Sequence, residues 1–290
     1  MPFEFAILAA FGAMACWGFG DYFIQKTTRK IGDIEALFWI GVIGSIALFP
    51  FVLPELPLLF SIGNASILLF LGVLTFFVAV LLFEAYKEGK LSVIDVLLEI
   101  ELPITIFLAI IFYNETLSSL QYLIIGLVFA GILLISTPSL SLKSARVRLE
   151  KGLVLGIVAA VGLGVMNFLT GAGARMASPI LAIWVPWVIY TVMCLVIIAK
   201  RKAFSKLFQD AKLHFKVILP MGVFDTAAWL LFAFALSSNS ISLTTAITEA
   251  YPALALFLGV YLNKEAIASH QYIGAFLAII ACIFLGLILV

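Results

Sequence analysis

The stretch from Ile241 to Asn263 reads ISLTTAITEAYPALALFLGVYLN, with a carboxylate, Glu249, inside an apolar run long enough to cross a bilayer. The stretch from Leu91 to Asn114, LSVIDVLLEIELPITIFLAIIFYN, is built the same way. Glu99 precedes Pro103 there as Glu249 precedes Pro252 here. The correspondence extends beyond these two runs. In one frame, 150 positions apart, Gly72-Val73 falls on Gly222-Val223, Ala85 on Ala235, Ser92 on Ser242, Glu115 on Glu265, and Gln121-Tyr122 on Gln271-Tyr272. Upstream the offset is 145, pairing Phe23 with Phe168 and Trp39 with Trp184. The chain is read as a duplication, because one shared frame carries both acids and the Gln-Tyr pairs.

Composition places both halves in a membrane. Of the 290 residues 64% are hydrophobic and 11% are charged, against about 25% charged in soluble domains. Ten apolar runs are each long enough to span as a helix, over approximately residues 3–25, 35–53, 64–86, 91–112, 119–137, 151–174, 179–199, 214–237, 241–262 and 268–290. Barrel strands would alternate in shorter segments. The expected fold is therefore an all-α integral membrane protein with ten transmembrane helices. Residues 1–140 form the first five-helix repeat, 141–150 a cytoplasmic linker, and 151–290 the second repeat. The connections, of which 137–150 and 200–213 are the longest, leave no room for a soluble catalytic domain. The first apolar run has no basic segment before it and exceeds a signal-peptide core, so it is expected to be retained.

Charge sets the orientation. Of the 17 basic residues only Arg175 lies outside the connections that follow odd-numbered spans. By the positive-inside rule those connections are expected to be cytoplasmic and both termini to face out, with the plasma membrane as the expected location. Five spans per repeat is an odd number, so the second repeat enters the membrane inverted and a pseudo-two-fold axis lies in the membrane plane. Glu99 and Glu249 then lie about eight residues, or about 12 Å, from opposite faces. Two acids at such depth point to a shared central cavity.

Order and spacing of these motifs resemble the drug/metabolite transporter superfamily in its ten-helix EamA form. The resemblance is carried by Trp17-Gly18 in the first span, by Glu99-Ile-Glu101-Leu-Pro103 and Glu249-Ala-Tyr251-Pro252, and by the acid and Gln that follow each (Glu115 and Gln121, Glu265 and Gln271). It covers essentially the whole chain. It implies a secondary transporter of small organic solutes, a cavity built from the first four helices of each repeat, and peripheral fifth and tenth helices that form homodimer contacts in many relatives. Many relatives also have cytoplasmic termini, whereas the charge bias here places them outside.

A charged group at the bilayer centre costs at least about 2.5–3.5 kcal/mol, so such groups face the protein interior and mark solute or proton paths. On this ground Glu99 and Glu249 are the leading candidates to bind a substrate amine or exchange protons. Asp95, one turn before Glu99, shares its helix face. In a continuous helix Glu101 turns about 200° away from Glu99 and sits beside the proline; Tyr251 matches it in the second repeat. Asp225 and Trp229 share a face of span eight, where the indole suits an apolar or cationic group. Trp17 adjoins small residues in span one, and Asn167 offers a polar contact in span six. Asp21, Glu84 and Glu88 are expected to pair with lysines at cytoplasmic ends, Arg175 to meet lipid head groups, and Glu115 to cap or pack locally.

Cys16, Cys194 and Cys282 lie inside apolar spans and act as small hydrophobes, not as a metal or disulfide framework. The two histidines lie at span ends and no nucleophile motif appears, so no cofactor is expected and the chain does not read as an enzyme. A net charge of +1 excludes nucleic acid as a partner; the expected partners are a small-molecule solute, membrane lipids and protons. The favoured function is export of small metabolites such as amino acids, with protons as the expected coupling ion. Efflux of lipophilic cations is the second reading, and a nucleotide-sugar-type exchanger or a non-transporting membrane protein follows at a distance.

Overall fold

The computed structural model describes residues 3–88, 97–137, 151–263 and 267–289. The proposed linker 141–150 and Asp95 lie outside the described residues, as does Glu265. Among the described residues the expected spans are helical: α1 (Phe3–Ile31), α2 (Asp33–Val52), α3 (Ile62–Glu88), α4 (Glu101–Tyr113), α5 (Ser119–Ser136), α6 (Lys151–Met176), α7 (Pro179–Lys200), α8 (Phe204–Ser238), α9 (Ile241–Thr248), α10 (Tyr251–Asn263) and α11 (Ser269–Leu289). A 3-10 turn, Leu53–Phe60, joins α2 to α3. Among the described residues eight helices are long and apolar enough to cross a membrane. The fourth and ninth spans are different, and their interruption organises the rest of the molecule.

The ninth span, expected as one helix, is two. Glu249 closes α9, its amide still bonded to the Thr245 carbonyl at 2.8 Å. Ala250 then makes only a long i−3 bond to Ile247, 3.4 Å. Pro252 has no N–H to offer the Thr248 carbonyl, so the ladder cannot resume until α10. The same turn occurs at Glu99 and Ile100, ahead of α4, with Pro103 unable to donate to Glu99. Pro within the first turn of a new helix is where proline is best tolerated.

Two other boundaries differ from expectation. The Lys200–Leu213 connection is largely helical, because α8 begins at Phe204 and bends at His214, where φ is −116°. Helix α1 continues to Ile31, carrying Lys26, Arg29 and Lys30 beyond its apolar part.

Packing obeys a two-fold exchange of repeats. Helix α1 packs on α8, and its counterpart α6 packs on α3; α4 packs on α6, as α9 and α10 pack on α1; α2 packs on α8, as α7 packs on α3. Helices α2 and α7 meet each other, and so do α5 and α11, which are each other's equivalents. The chain is thus two inverted five-helix repeats. At the α5–α11 crossing a Cβ on Gly131 would stand 2.7 Å from the Gly274 carbonyl oxygen, and one on Gly274 would stand 2.6 Å from that of Gly131. Both positions need glycine for the backbones to touch. The outer faces of this pair, with Leu123, Leu127, Ile273 and Phe276 exposed, are apolar and suit lipid.

Candidate functional site

The interruptions place polar groups at the middle of the bundle. Helix α9 is buried at every residue from Ile241 to Thr248. At its end Glu249, 5% exposed, accepts a hydrogen bond from Asn167 of α6 at 3.3 Å. Asn167 is itself buried. Helix α4 reaches the same point from the other repeat: the carboxyl of Glu101, its first residue, lies within interaction range of that of Glu249.

Glu101 is held there by close backbone approach. A Cβ on Gly164 of α6 would fall 2.9 Å from the Glu101 carbonyl oxygen. Thr105, one turn later, donates to both the Glu101 and Gly164 carbonyls, at 2.9 and 3.1 Å. The expectation that Glu101 turns away from the site assumed an unbroken helix. The turn at Glu99–Ile100 removes that premise, and Glu101 is the carboxyl that meets Glu249.

Glu99 takes a different partner. Ser136, at the end of α5, donates to it at 2.8 Å. It lies within electrostatic range of Glu101 and of Tyr251, as Glu249 does, so the two repeat-related acids belong to one neighbourhood.

An aromatic cluster adjoins the carboxyls. Trp17 of α1 meets Trp229 edge-on at 5.1 Å, Phe232 at 5.3 Å and Tyr251 at 6.0 Å. Trp229 in turn meets Trp187 of α7 at 5.9 Å. Asp225, buried one turn before Trp229, interacts electrostatically with Asp21 and with Tyr190. Asp21 also acts on Tyr251. Asp21, expected to pair with lysines at the cytoplasmic end, thus reaches two groups of the site; the Lys26 ammonium donates to the Tyr22 hydroxyl at 3.0 Å and covers that ring. Eight of the nine candidates, all but Asp95, are therefore described. Glu249, Glu101, Asn167, Tyr251, Trp17 and Trp229 form one contiguous set, with Glu99 and Asp225 at its margins.

A second polar cluster closes one end of the bundle, the outer end on the charge reading. Glu115 accepts from the amides of Ile241 and Ser242 at 2.6 and 3.0 Å and from the Ser240 hydroxyl at 2.7 Å, capping α9 of the other repeat. Burial favours the neutral acid, but the hydrogen bonds from Ser242, Ser240 and the Ile241 amide outweigh it and hold Glu115 below the usual glutamate range. Arg175 does not extend to lipid head groups. It donates to the Leu236 and Asn239 carbonyls at 2.9 and 2.5 Å, stands 3.6 Å from Glu115 and covers the Tyr113 ring at 4.6 Å. The last carbonyls of α8 supply the negative end of a helix dipole, which suits a guanidinium. A cavity of about 560 Å³ lies here, bordered by Asn114, Glu115, Arg175, Asn239 and Ser240. The one sequence signal for this cluster was Arg175 itself, the single basic residue on its side.

Comparison with known proteins matches residues 4–137 and 150–287 to a profile described as the EamA-like transporter family. No curated protein matches this chain. A solved structure titled "Crystal structure of protein" is similar over 98% of this chain and 96% of its own, with a TM-score of 0.77 and 13% identity. At that identity the likeness concerns the fold alone.

Proposed function

Because the chain belongs to the EamA-like transporter family, we propose that it is a secondary transporter that exports a small solute bearing an amine, such as an amino acid, in exchange for protons. The observation that carries this reading is the contact of Glu101 with Glu249 beside Asn167, where two repeats meet at broken helices. A carboxyl pair this close can share a proton and release it to water when an ammonium binds, so proton and solute occupy the site in turn. The neighbouring indoles of Trp17 and Trp229 provide faces for a cationic or apolar group. Their number keeps efflux of lipophilic cations as a second reading, since bulky apolar cations use such faces most. Both termini are placed outside by the basic residues, which also suits insertion in the plasma membrane.

A thermal-shift panel of amino acids, organic amines, sugars and nucleotide sugars on the detergent-solubilised protein tests the solute class. Ligand that binds only the folded state raises apparent stability, by about 2.7 kcal/mol at a hundredfold excess over Kd. Amines or amino acids are expected to stabilise wild type and not Glu249→Gln. Stabilisation by sugars or nucleotide sugars alone would reject the proposal.

A further inference from the structure

Helix α9 is enclosed by α1, α4, α5, α6, α8 and α11. A hydroxyl in such a place needs a partner, because leaving it unsatisfied costs about 1–3 kcal/mol. Yet the hydroxyls of Ser242, Thr244 and Thr245, all on residues 0% exposed, bond to no protein group. Several other threonines of the bundle behave otherwise, Thr27 of α1 excepted. Thr28, Thr75, Thr105, Thr170 and Thr191 each donate to the carbonyl one turn back.

Two of the unsatisfied groups share a direction with Glu249. At about 100° per residue, Thr245, Glu249 and Ser242 fall within an arc of about 60°, and Thr244 lies about 100° from Thr245, outside it. Leu243 and Ile247 lie on the far side and, with Ala246 and Ala250, join the apolar cluster around α5 and α11. The polar arc has a cavity at one end and carboxyls at the other. Ser240 and Asn239, at the start of α9, border the cavity of about 560 Å³. The Ser242 hydroxyl lies within electrostatic range of Glu115 without a hydrogen bond of acceptable geometry. Thr245 follows, and then Glu249.

We propose that the Ser242, Thr245 and Glu249 face of α9 is a hydrated proton path joining the Arg175 end of the bundle to the paired carboxyls at its centre. Neighbours three or four residues apart stand about 5–6 Å from one another. That is too far for hydroxyl to meet hydroxyl and matches two hydrogen bonds through one water, each about 2.8 Å. A proton entering from the cavity passes along these waters to the Glu249 carboxylate. Glu101 from α4 and Asn167 from α6 face Glu249 directly; Tyr251 follows it on α10, with Glu99 and Asp21 in range of that ring, and Glu115 and Arg175 stand at the entrance. This path rests on the reading of Glu249 as a proton carrier, but its hydration can be measured separately.

The full-length protein, with Cys16→Ala, Cys194→Ala and Cys282→Ala, is reconstituted and Thr245→Cys, Ser242→Cys or Ile247→Cys is introduced. A thiol reacts as its thiolate, which needs water, so N-ethylmaleimide is expected to label the first two at least about tenfold faster than Ile247→Cys. Thr245→Val, which keeps the shape and removes the hydroxyl, is expected to slow proton uptake driven by an imposed pH gradient while the protein elutes as a folded species. Labelling of Thr245→Cys no faster than Ile247→Cys, with coupled transport intact, overturns the path alone. Fast labelling together with a pH profile unaffected by Glu249→Gln overturns both the path's assignment to protons and the coupling it serves.

Discussion

Glu115 illustrates how much one side chain outside the spans can control. Its carboxylate receives two amides and a hydroxyl at the start of α9 and stands against Arg175. Replacing it with Gln removes the charge and turns an amide N–H₂ toward donors, for an expected loss of about 1–3 kcal/mol. Thermal unfolding in detergent measures this as a lower midpoint for Glu115→Gln. The pH dependence has a definite sign. Folding depresses this carboxyl below its free value of 4.5, so its contribution is complete above pH 4.5 and fades as pH falls through the folded value. The difference between wild type and Glu115→Gln is therefore expected to hold at neutral pH and to shrink only below about pH 4.5. A difference that instead grows on acidification would show that the carboxylate is not the species that caps α9.

At this scale the sequence singled out side chains that the fold gathers at its centre, with one orientation corrected. Glu249, Asn167, Trp17, Trp229 and Tyr251 were legible because polar or aromatic groups among apolar spans have few reasons to be there. Glu101 was assigned the wrong direction because helical angles were carried through a turn. The Glu115–Arg175 cluster was read as two unrelated residues, since its members are 60 positions apart and meet only through folding.

At the scale of elements, length and apolarity located the spans, while interruptions depended on hydrogen bonds that composition does not record. Pro252 and Pro103 marked the places, but a proline also fits a kinked continuous helix, as Pro186 does in α7 and Pro220 in α8. What distinguishes the ninth span is that the residues before its proline already abandon the i−4 ladder. The α5–α11 crossing offers a direct test of element packing. Gly131→Ala is expected to force these helices apart, because the new methyl would meet backbone 2.7 and 2.8 Å away, whereas Gly126→Ala meets nothing within 4 Å. Thermal unfolding should show a loss of about 1–3 kcal/mol for Gly131→Ala and a gain of up to about 1 kcal/mol for Gly126→Ala. Equal effects at the two sites would mean that the crossing is not tightly packed.

For the whole molecule, duplication is what makes the site intelligible. An odd number of spans per repeat inverts the second copy, and the exchange symmetry of the helix contacts follows from that inversion. Because each broken span lies in the same place in its repeat, both interruptions reach the centre from opposite faces and deliver Glu101 and Glu249 to one point. Duplication also leaves the halves unequal. Glu249 has Asn167 as its partner, Glu99 has Ser136, and Thr245 occupies the position that matches Asp95. The central claim is that this carboxyl pair exchanges protons for solute. It is tested most directly in proteoliposomes, by following the amine or amino acid selected in the thermal-shift panel under an imposed pH gradient. Wild type is predicted to accumulate the solute against its gradient, with a rate that changes with pH, and Glu249→Gln is predicted only to equilibrate it, at a rate that does not. Identical accumulation and identical pH profiles in the two proteins would contradict the account.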